Sequence, residues 1–349
     1  PLGSLFSRLV AALPVVLLLA LLASGRVRAH WAALVGLLSA ILAAIVVFVP
    51  KEVGQSQSWL DWVGTVLSAS GYGAAFGLLP IGWIVLSVIF LYTITVETGT
   101  FEIVKYSVVS LSNDRRIQAL LIAFCFGAFV EGAAGFGTPV AISAALMMGA
   151  GFKPLYAAGL ALLANTSPVA FGALGIPITT LGTVTGIDQM QISALAGRQL
   201  PFFSLIIPVW LVWVMSGWRG VVGVWPALVV CGGTFAGSQF LFSNYHGPWL
   251  VDVAGGLISL IALALFLKVW QPKQTWHFPD EKESTEETKQ YSSREILSAW
   301  VPWILLTIFV FAWGLGPVKE QLGQASVKFE IGALHNQIRR ITVVVKTTL

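Results

Sequence analysis

The chain has few charged residues and few cysteines. Only 10% of its 349 residues are charged, whereas about a quarter of the residues are charged in a typical soluble domain. The apolar residues fall in long blocks, which a soluble enzyme of this size could not tolerate. The two cysteines, Cys125 and Cys231, lie singly in apolar blocks, so we expect neither a disulfide framework nor a zinc site.

Runs of basic residues are also missing. The net charge is +4, but the lysines and arginines are scattered through loops without interleaved aromatic residues, so we expect no nucleic-acid partner. The histidines have no metal-ligand spacing, and we expect no metal and no cofactor. A membrane-embedded enzyme is one alternative, but the chain has no H-E-x-x-H motif and no G-x-S-x-G nucleophile with a reachable histidine.

Long apolar blocks dominate the remaining sequence. Hydrophobic residues make up 56% of the chain, and the mean hydropathy is +0.83. A helix of about 20 apolar residues crosses the hydrocarbon core of a bilayer. The pattern therefore predicts an all-α integral membrane protein, a polytopic helical bundle, with spans at residues 9–24, 31–49, 80–97, 201–216, 222–243, 249–270 and 299–316.

Three further apolar regions are interrupted by glycine or proline. They are residues 62–79, 117–150 and 154–186. Irregular backbone at membrane depth is tolerated only where protein buries it or where it lines a wet cavity. We therefore predict broken or re-entrant helices. T-P-V-A at 138–141 and S-P-V-A at 167–170 predict two helix starts whose positive dipole ends face the breaks.

The charged loops suggest an orientation and a domain plan. Residues 1–4 resemble a tag remnant. Residues 5–316 form the predicted transmembrane domain, with a hydrophilic loop at 271–298 that we expect to be flexible. A polar tail, 317–349, suggests a truncated chain. Loop charge places the N-terminus outside, which requires an odd number of crossings within 62–97, for example a re-entrant segment plus a span.

Glu131 is an acidic residue inside an apolar block. A bare carboxylate at membrane depth is costly, so it is protonated, paired or facing water, and such residues usually serve function. We interpret Glu131 as a proton-coupling residue. The alternative is a structural glutamate that is hydrogen-bonded at a helix break.

Small and polar residues follow at both interruptions. Gly135 and Gly137 would let backbone N–H groups approach an anion near Thr138, although close helix packing would also use glycine. Asn165, Thr166 and Ser167 offer hydrogen bonds to a carboxylate and a hydroxyl, or else cap a helix. Arg198 could bind a carboxylate bidentately or be an ordinary interfacial arginine. These seven residues are the candidate substrate-binding set.

Several long strings resemble the lactate permease family of bacterial inner membranes. They are F-V-E-G-A-A-G-F-G-T-P-V-A-I (129–142), G-F-K-P-L-Y-A-A-G-L (151–160), A-N-T-S-P-V-A-F-G-A-L-G-I-P (164–177), V-T-G-I-D (184–188) and G-R-Q-L-P-F (197–202).

The resemblance implies proton-coupled symport of a short 2-hydroxymonocarboxylate, such as L-lactate, D-lactate or glycolate. The implied partners are the substrate, protons and the lipid bilayer of the inner membrane. Family members continue into a second half that this chain lacks, and Gly332 stands where the family usually has proline. Another ion transporter or a channel would also use broken helices, and a non-transporting fragment is a further alternative.

Overall fold

The computed structural model describes residues 5–50, 53, 58–278 and 290–325. The predicted tag remnant and residues 326–349 of the tail lie outside these ranges. The chain divides into two compact units, one ending at Gly82 and the other beginning at Trp83. In both units the described secondary structure is built from helices.

The first unit contains three helices and a π-helical segment. A Cβ atom added to Gly36 would lie 3.4 Å from Leu18 and from the carbonyl oxygen of Pro14, so the first two helices pack closely at this glycine. The third helix begins with a capping box formed by Ser58 and Asp61. The elements are α1 (Leu5–Ala23), α2 (Ala29–Val46), α3 (Trp59–Phe76) and the π-helical segment Gly77–Ile81.

In the region 62–79, where a break was predicted, the chain stays helical and does not reverse direction. Helical residues continue through Gly64, Gly71 and Gly73, whose surroundings are open and whose φ angles are not positive. Glycine weakens a helix without necessarily ending it. The irregularity is confined to the π-helical segment 77–81, which contains proline, a residue that removes a helical hydrogen bond. A re-entrant turn is therefore not formed here.

The second unit begins in α4 and contains most of the helices. Its elements are α4 (Gly82–Glu97), α5 (Thr100–Val109), α6 (Arg115–Ala119), the π-helical segment Leu120–Phe126, α7 (Gly127–Ala133), α8 (Thr138–Gly149), α9 (Pro154–Asn165), α10 (Gly172–Thr185), α11 (Gln189–Tyr245), α12 (Val251–Val269), α13 (Ser293–Gly314) and α14 (Gly316–Gln324).

Seven helical runs among the described residues are long and apolar enough to cross a membrane. This count agrees with the predicted polytopic all-α fold. They are Leu5–Ala23, Ala29–Val46, Trp59–Glu97, Arg115–Ala133, Gln189–Tyr245, Val251–Val269 and Ser293–Gly314.

The run Arg115–Ala133 forms the central column of the second unit. The whole candidate span is buried inside the protein, as expected for a helix that is apolar on all sides. Phe124 packs edge-on against Phe235 with ring centroids 5.2 Å apart. Phe126 packs similarly against Trp303 at 5.5 Å. These contacts hold the column, and Glu131 near its end, inside a shell of other helices.

The long element α11 is a helical hairpin. Gly217 has a φ of 67°, and Val224 also leaves the helical conformation. On either side of this turn, the Ser193 hydroxyl donates to the carbonyl oxygen of Ser243 at 2.8 Å. Residues 50 positions apart can meet in this way only if the chain reverses. The hairpin confirms the two separate spans predicted at 201–216 and 222–243.

The loop that follows α12 is ordered where the structure describes it. The Arg116 side chain donates to Asp114 at 2.9 Å and to the carbonyl oxygen of Gln274 at 3.0 Å. The Trp276 N–H donates to Asp114 at 3.0 Å. Because these bonds tie residues 271–278 to the start of α6, the predicted flexibility does not hold there.

Helices also occupy other parts of the predicted polar segments. Residues 293–298 belong to α13, which begins with a capping box between Ser292 and Glu295. The first residues of the predicted polar tail form α14, a short helix ending at Gln324.

Candidate functional site

The first break separates α7 from α8. Gly135, Phe136 and Gly137 have φ angles of 60°, 52° and 83°. A left-handed conformation is favourable for glycine but strained for phenylalanine. Helix α8 then begins at Thr138 with Pro139 in its first turn. The predicted interruption is therefore present, with a glycine-rich turn that exposes backbone groups at the head of α8.

The second break has the same local design. Residues 166–171 form turns after α9. Ala173, Leu174 and Gly175 then adopt φ angles of 47°, 59° and 72° within the segment assigned to α10. Two of these residues are not glycine, and strained backbone of this kind clusters at functional sites. Regular helix follows from Ile176 with Pro177 in its first turn.

The structure confirms the first predicted helix start and corrects the second. Gly137 is the N-cap of α8, so Thr138 is the first helical residue and does not cap the helix. No helix begins at Ser167, which lies in the turn of the second break. The counterpart of Thr138–Pro139 is Ile176–Pro177. In each break, three consecutive residues have positive φ angles, and proline is the second residue after them. The similarity of T-P-V-A and S-P-V-A therefore gave the wrong helix start in the second break, where the turns at residues 166–171 make the connection longer than in the first.

The two breaks lie against each other. A Cβ atom added to Gly135 would come within 3.1 Å of the backbone nitrogen of Ala173. A Cβ atom added to Gly175 would come within 2.8 Å of the carbonyl oxygen of Pro248, which lies just before α12. The closeness of these backbones joins the two interruptions and the start of α12 into one site, which we call the break site.

Glu131 is buried in the break site, with 4% of its surface exposed. The Asn165 side chain forms a hydrogen bond with its carboxylate. Oε1 lies so close to Gly172 that a Cβ atom at position 172 would collide with it. Oε2 has no hydrogen-bond partner among the described residues. The structure thus brings together Glu131 of the first break and Asn165 of the second.

Asp252 is a second carboxyl in this region that sequence reasoning missed. It lies in the first turn of α12, is fully buried, and its backbone packs against Gly132, the residue that follows Glu131. The signal was available, since Asp252 stands inside the predicted span 249–270 and an acidic residue in an apolar block had already singled out Glu131. Two buried carboxyls this close to each other repel strongly if both are ionised.

The polar residues after Asn165 have different surroundings. The buried Ser167 hydroxyl donates to Ser204 at 2.8 Å. Ser204 in turn donates to Gln239 at 2.7 Å, which links the second break to both arms of the α11 hairpin. Thr166 is exposed, and its hydroxyl bonds back to Leu163 at 2.7 Å. The structure therefore separates Ser167, which joins helices, from Thr166, which faces outward.

Arg198 is held within α11. It is exposed, and its Nε donates to Oδ1 of Asn244 on the other arm of the hairpin at 3.0 Å. This hydrogen bond joins Arg198 to the hairpin rather than to the break residues. The guanidinium keeps further donors that remain available to a carboxylate.

Two cavities lie away from Glu131. One, of about 340 Å³, lies between the end of α10 and the start of α11 and includes Asp188 and Trp249. The other, of about 500 Å³, is an apolar groove between α9 and α11. Neither is lined by Glu131, whose low exposure shows that the carboxylate is closed off in this conformation.

Comparison with known proteins agrees with these features. The family described as L-lactate permease matches residues 7–349. A glycolate permease of Escherichia coli strain K12 is 44% identical over 99% of this chain and 63% of its own length. An L-lactate permease of Bacillus subtilis strain 168 is 48% identical over 92% of the chain and 57% of its own length. An L-lactate permease of Escherichia coli strain K12 is 44% identical over 95% of the chain and 59% of its own length.

The chain spans less than two thirds of the length of these relatives. No solved structure matches it. Permeases are transporters and not enzymes, in agreement with the predicted class. The family match over nearly the whole sequence, together with the multi-pass helical fold and its paired helix breaks, shows that this chain belongs to the L-lactate permease family.

Proposed function

We propose that the protein is a proton-coupled symporter of short 2-hydroxymonocarboxylates in the bacterial inner membrane. The observation that carries this proposal is the position of Glu131, buried where two strained helix breaks meet. The substrate class is supported by relatives named as L-lactate and glycolate permeases. A buried carboxylate with no basic residue hydrogen-bonded to it is a suitable proton carrier.

Glu131 binds the coupled proton, which it takes from the periplasmic side. Among the described residues its hydrogen-bonding neighbour is Asn165, a neutral amide. Protonation removes a charge that no cation offsets, which lowers the cost of moving the site through a low-dielectric region. The substrate anion can then enter without placing two negative charges side by side.

The substrate carboxylate docks at the break site. The head of α8 offers a positive dipole end to an anion beside Gly135, Gly137 and Thr138. From the facing break, the Asn165 amide can donate to the carboxylate, and Ser167, whose proton goes to Ser204, can accept from the substrate hydroxyl. Since no helix begins at Ser167, the second positive helix end belongs to the segment that starts at Ile176.

Thr166 and Arg198 are the outer members of the substrate-binding set. Both are exposed, so they assist substrate on its way to the break site. Arg198 offers a planar pair of donors that fits a carboxylate. A loaded site then changes its access from one side of the membrane to the other.

Uptake into proteoliposomes tests the proposal. Labelled L-lactate is expected to accumulate above its external concentration when an inward proton gradient is imposed, and only to equilibrate without the gradient. Glu131→Gln should lose accumulation and keep lactate exchange, because the neutral amide mimics the protonated acid. Accumulation driven by a sodium gradient, or non-saturable flux, would favour another ion-coupled transporter or a channel.

A further inference from the structure

Asp252 has an unusual environment for a carboxyl group. None of its surface is exposed, and neither carboxyl oxygen has a hydrogen-bond partner among the described residues. A buried polar group without partners is uncommon and calls for an explanation. The proposed role of Glu131 does not by itself use this group.

Close helix packing brings Asp252 to Glu131. A Cβ atom on Gly132 would collide with the backbone of Val253, and one on Gly256 would collide with the backbone of Phe129. Small residues allow this kind of backbone contact between membrane helices. The paired positions run in opposite directions along the chain, so α7 and α12 are antiparallel.

The two carboxyls lie at a similar depth along their helices. Glu131 follows Arg115 by 16 residues, and Asp252 precedes Lys268 by 16 residues. At about 1.5 Å per residue, each carboxyl is roughly 24 Å along its helix from the basic end. Both carboxyls therefore lie at the same end of this antiparallel pair of helices, opposite the basic ends.

Among the described residues, no lysine or arginine is hydrogen-bonded to Asp252. Besides Glu131, the central column carries the buried thiol of Cys125, which lies 3.4 Å from the buried thiol of Cys231 on α11. The arginines of α11, Arg198 and Arg219, are exposed. Glu131 is the charged group whose field reaches Asp252.

His246, another titratable residue, is the C-cap of α11. Its ring stacks on Phe311 with centroids 5.9 Å apart. This contact, together with the closeness of the ring to Gly314, places the imidazole beside α13.

Electrostatics then decides how the pair is charged. Two adjacent carboxylates without a cation repel each other, and each also loses its hydration on burial. The N-terminus of α12 favours an anion at Asp252, but the helix dipole is a smaller effect than the loss of hydration. Glu131 accepts a hydrogen bond from Asn165 and Asp252 accepts none, so Glu131 is the better place for the single negative charge.

We propose that Asp252 is the second carboxyl of the coupling site and stays protonated through the transport cycle, so that the pair carries at most one negative charge. This inference rests on the proposed function of Glu131. The empty site carries the charge of Glu131, and the loaded site carries that of the substrate. The empty and loaded sites therefore carry the same net charge, because Glu131 is neutralised by a proton when the substrate anion binds.

Infrared spectroscopy of the purified protein tests the protonation of Asp252 without requiring transport. A protonated carboxyl has a C=O stretching band that is separate from the bands of carboxylates. At neutral pH we expect such a band in the wild-type protein, and we expect Asp252→Asn to lose it. Asp188→Asn, which changes an exposed helix-capping carboxyl, is the matched control and should retain the band.

Isotope labelling covers the case in which Asp252→Asn does not fold. Labelling aspartate with ¹³C at the side-chain carboxyl should shift the band in the wild-type protein, whereas the same labelling of glutamate should not. A band that survives in Asp252→Asn, or that does not respond to labelled aspartate, would overturn the proposal. Glu131→Gln should retain the band.

Proton binding separates this inference from the proposed function. On adding L-lactate in weak buffer, the wild-type protein and Asp252→Asn should each take up about one proton per substrate bound, and Glu131→Gln none. If the wild-type protein takes up none, the proposed function fails while the infrared result still decides the state of Asp252. If only Asp252→Asn loses proton uptake, Asp252 exchanges its proton and the inference is wrong.

Discussion

The carboxylate of Glu131 lies directly against Gly172, in the space that a side chain at position 172 would need. Glycine at the second break therefore leaves room for the acidic residue of the first. This contact joins the two interruptions around the one carboxylate to which we assign the coupled proton.

Gly172→Ala should displace the Glu131 carboxylate and abolish gradient-driven accumulation of L-lactate. The new Cβ atom would collide with Oε1, and the carboxylate cannot remain beside Asn165 without moving. Proteoliposome uptake measures the effect. Gly237→Ala is the control, because no atom lies within 4 Å of the added Cβ at that helical position. Equal accumulation in both variants would show that the position of the carboxylate is not critical.

Gly256→Ala should destabilise the protein by about 1–3 kcal/mol, the usual cost of overpacking. The added methyl group would overlap the backbone of Phe129 and push α12 away from the central column. Thermal unfolding in detergent provides the measurement, with Gly233→Ala as a control in open space. If Gly256→Ala unfolds at the wild-type temperature, the close contact of these two helices is not formed.

Ser204→Ala should also lower stability, by about 1–3 kcal/mol, because it leaves buried hydrogen-bonding groups without their partner. Ser204 accepts from Ser167 and donates to Gln239. Ser216→Ala is the matched control, since that hydroxyl bonds to a carbonyl oxygen of its own helix. A loss of lactate affinity in Ser204→Ala, measured at a temperature where it is folded, would support the substrate role of Ser167.

Arg198→Gln should raise the half-saturating L-lactate concentration several-fold and leave the maximal uptake rate unchanged. An exposed guanidinium attracts and orients an anion before it reaches the buried site. Initial uptake rates over a range of concentrations separate the two parameters. Arg219→Gln removes another exposed arginine of α11, and matching kinetics for both variants would mean that Arg198 has only a topological role.

Hydropathy alone was sufficient to predict most of the fold. The spans at 201–216 and 222–243 needed no tertiary information, because their lengths match the bilayer. Glycine and proline also located the two breaks. Local sequence could not show that the second helix restarts at Ile176, since that depends on the left-handed run that begins at Ala173.

The pairing of carboxyls shows the limit of sequence reasoning more clearly. Glu131 could be selected from its apolar surroundings, and Asp252 fitted the same criterion. Their proximity depends on the packing of α7 against α12 through Gly132 and Gly256, which no local pattern specifies. Similarly, the order in residues 271–278 comes from bonds to the start of α6, more than 150 residues away in sequence.

The central claim is that Glu131 couples proton movement to substrate movement. The most direct test is to add L-lactate outside proteoliposomes that contain a pH-sensitive dye and to follow the internal pH. We predict saturable, lactate-dependent acidification with the wild-type protein and none with Glu131→Gln, while both exchange labelled lactate. Lactate entry without acidification in the wild-type protein, or full acidification in Glu131→Gln, would contradict the account.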